Sequence, residues 1–216
     1  MSLNLGMRII LTLFLLLFII SACNSEKTQI ENKVDVDSLA IQLSNSATER
    51  FGEYIFGRID SPDSLEVSLS ELDKAIEIEP NLTELYTHKA NILLALDRDE
   101  QAIQVLNKAL SIKPDFVEVM TLIGFINEKI EKSEVAQEWY QKALEGYDKR
   151  IEEKRFVINS KINKVFLLLF TQDEEAARKA YKNLKQEYPN NSEVEFMEQF
   201  LFIDFDKEKF LNELYK

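Results

Sequence analysis

The sequence predicts an all-α fold built by repetition, and three observations carry that prediction. Only five glycines and four prolines occur in 216 residues, too few for a turn-rich β fold and in keeping with long helices. The nonapeptide LDKAIEIEP at 72–80 returns as LNKALSIKP at 106–114, an offset of 34 residues, and a fixed period of that length marks stacked units that bury a shared core. The same offset links Ala75, Ala109 and Ala143, and Ala102 with Ala136. With 45% hydrophobic and 30% charged residues, the chain has the composition of a folded protein. Its length suits one domain or one short repeat array behind a leader.

The first 22 residues read as an export signal. Arg8 is followed by IILTLFLLLFII from Ile9 to Ile20, then by Ser21, Ala22 and Cys23. That run of twelve falls short of the roughly 20 apolar residues that span a bilayer as a helix. The tetrad Ile20-Ser21-Ala22-Cys23 resembles the lipobox of bacterial lipoprotein signals. The resemblance implies that Cys23 becomes the mature N-terminus and carries acyl chains on its sulfur and its amine, giving a membrane anchor. Two or three such chains, at about 0.8 kcal/mol per buried CH2, anchor durably where one does not. A core thiol and an ordinary neighbour of a cleavage site are the other readings of Cys23, but NSEKTQIENKVD at 24–35 is too polar to supply a core. Asn24 is not the Asp associated with inner-membrane retention, so the resemblance favours the outer membrane, facing the periplasm.

Residues 23–35 are then a polar tether and 36–216 the helical domain. Loss of 1–22 removes Arg8 alone among the charges, leaving 25 Lys and Arg against 38 Asp and Glu, a net of −13. Such a body repels phosphate backbones and anionic headgroups, which argues against a nucleic-acid partner. A lone Cys spent on lipid leaves no disulfide, so the fold rests on packing.

In the domain, residues 83–116 read TELYTHKANILLALDRDEQAIQVLNKALSIKPDF. They resemble the tetratricopeptide repeat, a 34-residue helix-turn-helix unit with small residues at positions 8, 20 and 27 and proline at 32. Tyr86 takes position 4, Ala90 position 8, Ala102 position 20, Leu106 position 24, Ala109 position 27 and Pro114 position 32. Residues 117–148 follow without a gap, with Met120 at 4, Gly124 at 8, Ala136 at 20, Tyr140 at 24 and Ala143 at 27. Small residues let the two helices of a hairpin cross closely, and the expectation is that Gly124 faces Ala136. Pro114 ends one hairpin before the next.

Toward the ends the pattern decays. Residues 49–82 keep a second helix, opened by Ser61-Pro62-Asp63 as cap and first turn. Their first helix is atypical, with Gly52 at position 4 and Phe56 at position 8, and residues 36–50 can add an opening helix. After Asp148 the segment KRIEEKRFV predicts an overlong helix and an insertion of about nine residues. Counting back from Pro189 gives a fourth unit at about 158–191, with Ala177, Tyr181 and Leu184 at positions 20, 24 and 27. From Ser192, Phe196, Phe200, Ile203, Phe210 and Leu214 recur at helical spacing and predict capping helices. The resemblance thus implies a right-handed superhelical solenoid of about four repeats with a C-terminal cap.

It also implies a concave groove, lined by the first helix of each pair, that holds a protein or peptide partner. The groove positions fall on Glu84, Thr87, Asn91, Leu94 and Ala95, on Glu118, Thr121, Phe125, Glu128 and Lys129, and on Asn159, Ile162, Phe166, Leu169 and Phe170. Thr87, Asn91, Leu94, Thr121, Phe125, Glu128 and Phe166 are the candidate partner contacts. The carboxylate-clamp pattern of one subclass is absent, since Thr87, Leu122, Asn159 and Asn163 stand where Lys, Asn and two basic residues belong. What remains is mostly neutral and apolar, suited to a hydrophobic or helical ligand segment. Aromatics at helical spacing in a solenoid also serve as packing, and burial of Leu94 and Phe125 would favour that reading.

No catalytic constellation is visible. His88 is the sole histidine and reads as a half-exposed packing residue rather than a base. One His and one lipidated Cys make no metal site, and no glycine-rich loop points to a phosphate cofactor. Asp97, Asp99 and Glu100, and Asp173, Glu174 and Glu175, read as helix caps and solvated faces. Trp139 reads as a packing residue on the convex side or between repeats. The sequence therefore predicts a non-enzymatic, membrane-anchored adaptor of the cell envelope. An assembly factor for an outer-membrane β-barrel or secretin complex is one alternative, and a scaffold subunit of an envelope enzyme or transporter is another.

Overall fold

One device turns the chain four times. After α1 (Val36–Ile55), Gly57 adopts φ +67°, and Arg58 N donates to Glu53 O at 2.8 Å while Gly57 N donates to Tyr54 O at 3.0 Å. That pair of bonds is the Schellman closure, which satisfies carbonyls left open at a helix C-terminus. The same closure follows α3 (Thr83–Ala95) at Asp97, α5 (Val117–Lys129) at Glu131 and α6 (Ser133–Glu152) at Lys154. At each, the equivalent long bond, Arg98 N to Leu93 O, Lys132 N to Asn127 O and Arg155 N to Arg150 O, is 2.8 Å. Those three non-glycine residues hold φ of 55°, 61° and 56°.

The computed structural model describes residues 36–59, 61–201 and 205–214. The remaining helices are α2 (Pro62–Ile78), α4 (Asp99–Ile112), α7 (Val157–Thr171), α8 (Glu174–Glu187), α9 (Ser192–Leu201) and α10 (Lys207–Asn212). No strand occurs among the described residues. The export signal, Cys23 and the tether at 23–35 lie outside them.

The chain divides into two units, with the boundary between Val119 and Met120 in the first turn of α5. In the first unit each helix packs on the next, α1 on α2, α2 on α3 and α3 on α4, and α1 also meets α3. The apolar stripes meet inside: Leu65, Leu72 and Ala75 of α2, Leu85, Ala90 and Ile92 of α3, and Ala102, Leu106 and Ala109 of α4 are fully buried. Arg50 of α1 donates to Glu71 of α2 at 2.6 Å and to Ser68 Oγ at 3.1 Å. Ser61 takes the N-cap of α2 with Pro62 at the first helical position. The Ser61 side chain makes no capping hydrogen bond, and Ser64 Oγ donates to Ser61 O at 2.6 Å.

The opening helix and the atypical first helix of 49–82 are a single 20-residue helix. No proline lies near residue 49, Gly52 is accommodated within the helix, and Ala40, Ala47 and Phe51 continue one buried stripe through it. Phe56 lies beyond its end and is exposed.

In the second unit α6 packs on α7, α7 on α8, and α9 on both α7 and α8. Helix α6 runs for 20 residues against 14 for α4, which is the overlong helix the sequence predicts. Ala136, Tyr140, Ala143 and Tyr147 form its buried face, and Ala177, Tyr181 and Leu184 that of α8. Asp173 caps α8, its Oδ1 accepting from Ala176 N at 2.8 Å. Asp99 differs from its expected solvated place and is buried.

Candidate functional site

Six of the seven candidate contacts are buried: Thr87, Asn91, Leu94, Thr121, Phe125 and Phe166, all at 3% exposure or less. On α3, Thr87 Oγ1 donates back to Glu84 O at 2.8 Å, spending its hydroxyl within its own helix. Leu94 belongs to the core of the first unit, and Asn91 Oδ1 is buried with no hydrogen-bond partner among the described residues. His88, one turn before Ile92, has Nδ1 3.0 Å from Ser44 Oγ of α1. Burial holds its imidazole below the usual 6.5, against the opposing charge of Glu84.

In the second unit the candidates meet the chain's own C-terminal helix. Phe125 of α5 and Phe166 and Phe170 of α7 stack within 4.7–5.8 Å of one another. Into that cluster α10 inserts Phe210, whose ring centroid is 5.4 Å from Phe125, 5.4 Å from Phe166 and 5.6 Å from Phe170. Edge-on geometry prevails, as ring quadrupoles favour. One turn earlier Lys207 Nζ sits 2.6 Å from Glu128 Oε1 and 5.5 Å over the Phe170 ring. The side chain of Glu128, 11% exposed, is thereby covered too. A groove open to solvent at Phe125, Glu128 and Phe166 is thus not what the structure presents: those residues lie beneath α10.

Beneath Phe210 the site has a polar end. Glu128 Oε2 and the Tyr140 hydroxyl are buried and unpartnered among the described residues. Burial first, then the neighbouring Glu128 charge, pushes the Tyr140 phenol far above its usual range. Thr121, by contrast, spends its hydroxyl 3.3 Å from Tyr147 Oη, which also accepts from Asn163 Nδ2 at 3.1 Å.

The pairing was written in the sequence as two complementary signals. Phe125 and Glu128 are three apart on α5, Lys207 and Phe210 three apart on α10, and residues so spaced share a helix face. Reading the tail for apolar spacing alone finds Phe210 and misses Lys207. Trp139 is half-exposed, with Lys142 Nζ 4.3 Å over its ring. No cluster of His, Cys, Asp and Glu among the described residues could hold a metal ion. No described helix is long and apolar enough to cross a membrane.

These hairpins define a tetratricopeptide-repeat-like helical solenoid. The tetratricopeptide repeat family profile matches residues 83–116, the segment formed by α3, α4 and the turn that follows. Among solved structures the chain is similar to a crystal structure of MamA, with 15% identity over 71% of this chain and 81% of that one, at a TM-score of 0.46. A search of curated proteins finds no match.

Proposed function

We propose that the protein is a non-enzymatic adaptor, tethered through lipidated Cys23 to the outer membrane and holding a protein partner on its periplasmic side. The observation that carries the adaptor reading is the pair of consecutive hairpins, α3–α4 and α5–α6, matching the repeat profile over the first of them. Repeats of this kind generally serve protein–protein interaction, because stacked hairpins offer extended surfaces of first helices. The tether rests on the sequence from Arg8 to Cys23 and on the polar dozen that follows.

A crosslinking pull-down from membranes tests both parts, run with the native chain beside Cys23→Ser. The native chain is expected to fractionate with membranes and to bring a specific protein with it, and Cys23→Ser to remain unprocessed and lose that fractionation. Identical processing and membrane retention of the Ser variant would overturn the tether. Capture of nothing specific by either chain would overturn the adaptor reading.

A further inference from the structure

Helix α10 is six residues long, and isolated helices below about 12–15 residues are marginal in water. Its helical state therefore depends on where it docks: Phe210 and Leu211 are buried, Phe205 just before the helix also packs on Phe166 and Phe170, and Lys207 and Phe210 share one face. Phe210 fills the cluster of Phe125, Phe166 and Phe170, and Lys207 meets Glu128. Asp206 caps the helix, Oδ1 accepting from Lys209 N at 2.9 Å. The occupant does not exhaust the site. The Lys207 ammonium engages Glu128 Oε1 and leaves Oε2 buried without a partner among the described residues. An ammonium is a point charge, whereas a guanidinium presents parallel donors that match both oxygens of a carboxylate. The site is thus complementary to a segment with Arg where α10 has Lys. An acidic chain of net −12 attracts such a basic segment at long range.

We propose that the pocket of Phe125, Phe166 and Phe170, with Glu128 at its edge, is the docking site for a helical segment of a partner protein that carries Arg three residues before Phe. Helix α10 is the weaker resident that this segment displaces. The proposal rests on the adaptor reading and names the chemistry of its partner.

Fluorescent peptides of the sequence at 205–214 test it on the full chain, one native, one with Lys207→Arg and one with Lys207→Glu. The protein is used as wild type, as Lys207→Ala/Phe210→Ala to vacate the pocket, and as that double variant with Glu128→Gln. Anisotropy is expected to show the Arg peptide binding the double variant at least tenfold more tightly than wild type. It should bind severalfold more tightly than the native peptide and at least tenfold more tightly than the Glu peptide, and Glu128→Gln should erase the Arg preference. Lys207→Glu protein, in which like charge against Glu128 loosens α10 without truncating Phe210, replaces the double variant if circular dichroism shows that one unfolded, with the same order of affinities expected. Absence of saturable binding to the vacated pocket, or affinity indifferent to residue 207 of the peptide and to Glu128→Gln, would overturn the proposal and leave α10 a structural cap. A partner captured from membranes with undiminished yield by Glu128→Gln protein would overturn the pocket while sparing the adaptor.

Discussion

Gly124 on α5 and Tyr140 on α6 meet so closely that a Cβ built at Gly124 would stand 2.5 Å from Cδ1 of the Tyr140 ring and 3.3 Å from Cζ. Neither side can yield cheaply. Tyr140 is fully buried, with its ring 5.7 Å from both Phe125 and Phe170. In an open helix Gly→Ala gains about 1 kcal/mol of propensity. Here overpacking, which costs about 1–3 kcal/mol, opposes it and wins. Gly124→Ala is expected to lower stability by up to about 2 kcal/mol in urea unfolding, and a raised midpoint would contradict the close approach.

That contact also shows what the sequence could and could not say. The period of 34 and the small residues mark Gly124 as a point of close helix approach, but point to Ala136 as its neighbour. A helical side chain lies over the turn N-terminal to its own Cα. The ring of Tyr140, one turn beyond Ala136 on the same face, therefore reaches back into the space that Gly124 leaves. Small positions are legible as room; which side chain fills the room depends on reach. The groove failed to be legible for a related reason. The repeat positions put Phe125, Glu128 and Phe166 on first helices, yet their covering comes from a segment some 80 residues further on in α5's case, and no local period links the two. Counting repeats imposes a boundary at residue 49, whereas α1 runs through it from Val36 to Ile55.

Three turns keep a non-glycine residue in the left-handed region where Gly57 sits without strain. Asp97, Glu131 and Lys154 hold φ between 55° and 61°, and a side chain there costs about 1–2 kcal/mol against the following carbonyl. Glycine removes that strain but adds freedom to the unfolded chain. Each of Asp97→Gly, Glu131→Gly and Lys154→Gly is expected to stabilise by about 0.5–1 kcal/mol. Gln104→Gly, at an exposed interior position of α4, is expected to do the reverse by about 1 kcal/mol. Urea midpoints of the four variants check the opposite signs.

His88 sets a pH dependence of known sign. Its folded pKa is lowered from 6.5 by burial, so below pH 6.5 the unfolded chain binds the proton more readily than the folded one. Stability is then complete above pH 6.5 and is lost as pH falls from there through the folded pKa. Glu71, held below 4.5 first by the hydrogen bond from Arg50, adds a separate loss only as pH falls below 4.5. Between pH 7.5 and 5.5 the native chain is expected to lose thermal stability and His88→Gln to lose clearly less, as followed by melting temperature. Equal slopes for the two would remove His88 as the cause.

Tyr140 and Tyr147 are both fully buried on α6, yet their hydroxyls stand in opposite situations. Tyr147 Oη lies 3.3 Å from Thr121 Oγ1 and accepts from Asn163 Nδ2 at 3.1 Å. The Tyr140 hydroxyl has no partner among the described residues, so it is desolvated without return. Removing a hydroxyl that makes no bond costs nothing, whereas removing one that satisfies buried neighbours strands them, at about 1–3 kcal/mol. Tyr140→Phe is therefore expected to be neutral or to stabilise by up to about 1 kcal/mol, and Tyr147→Phe to destabilise by about 1–3 kcal/mol. The rings are retained in both, so packing is held constant and the difference reads the hydroxyls alone. Urea unfolding of the two variants side by side decides it: equal losses, or the larger loss at Tyr140, would mean that the Tyr140 hydroxyl is hydrogen-bonded in solution.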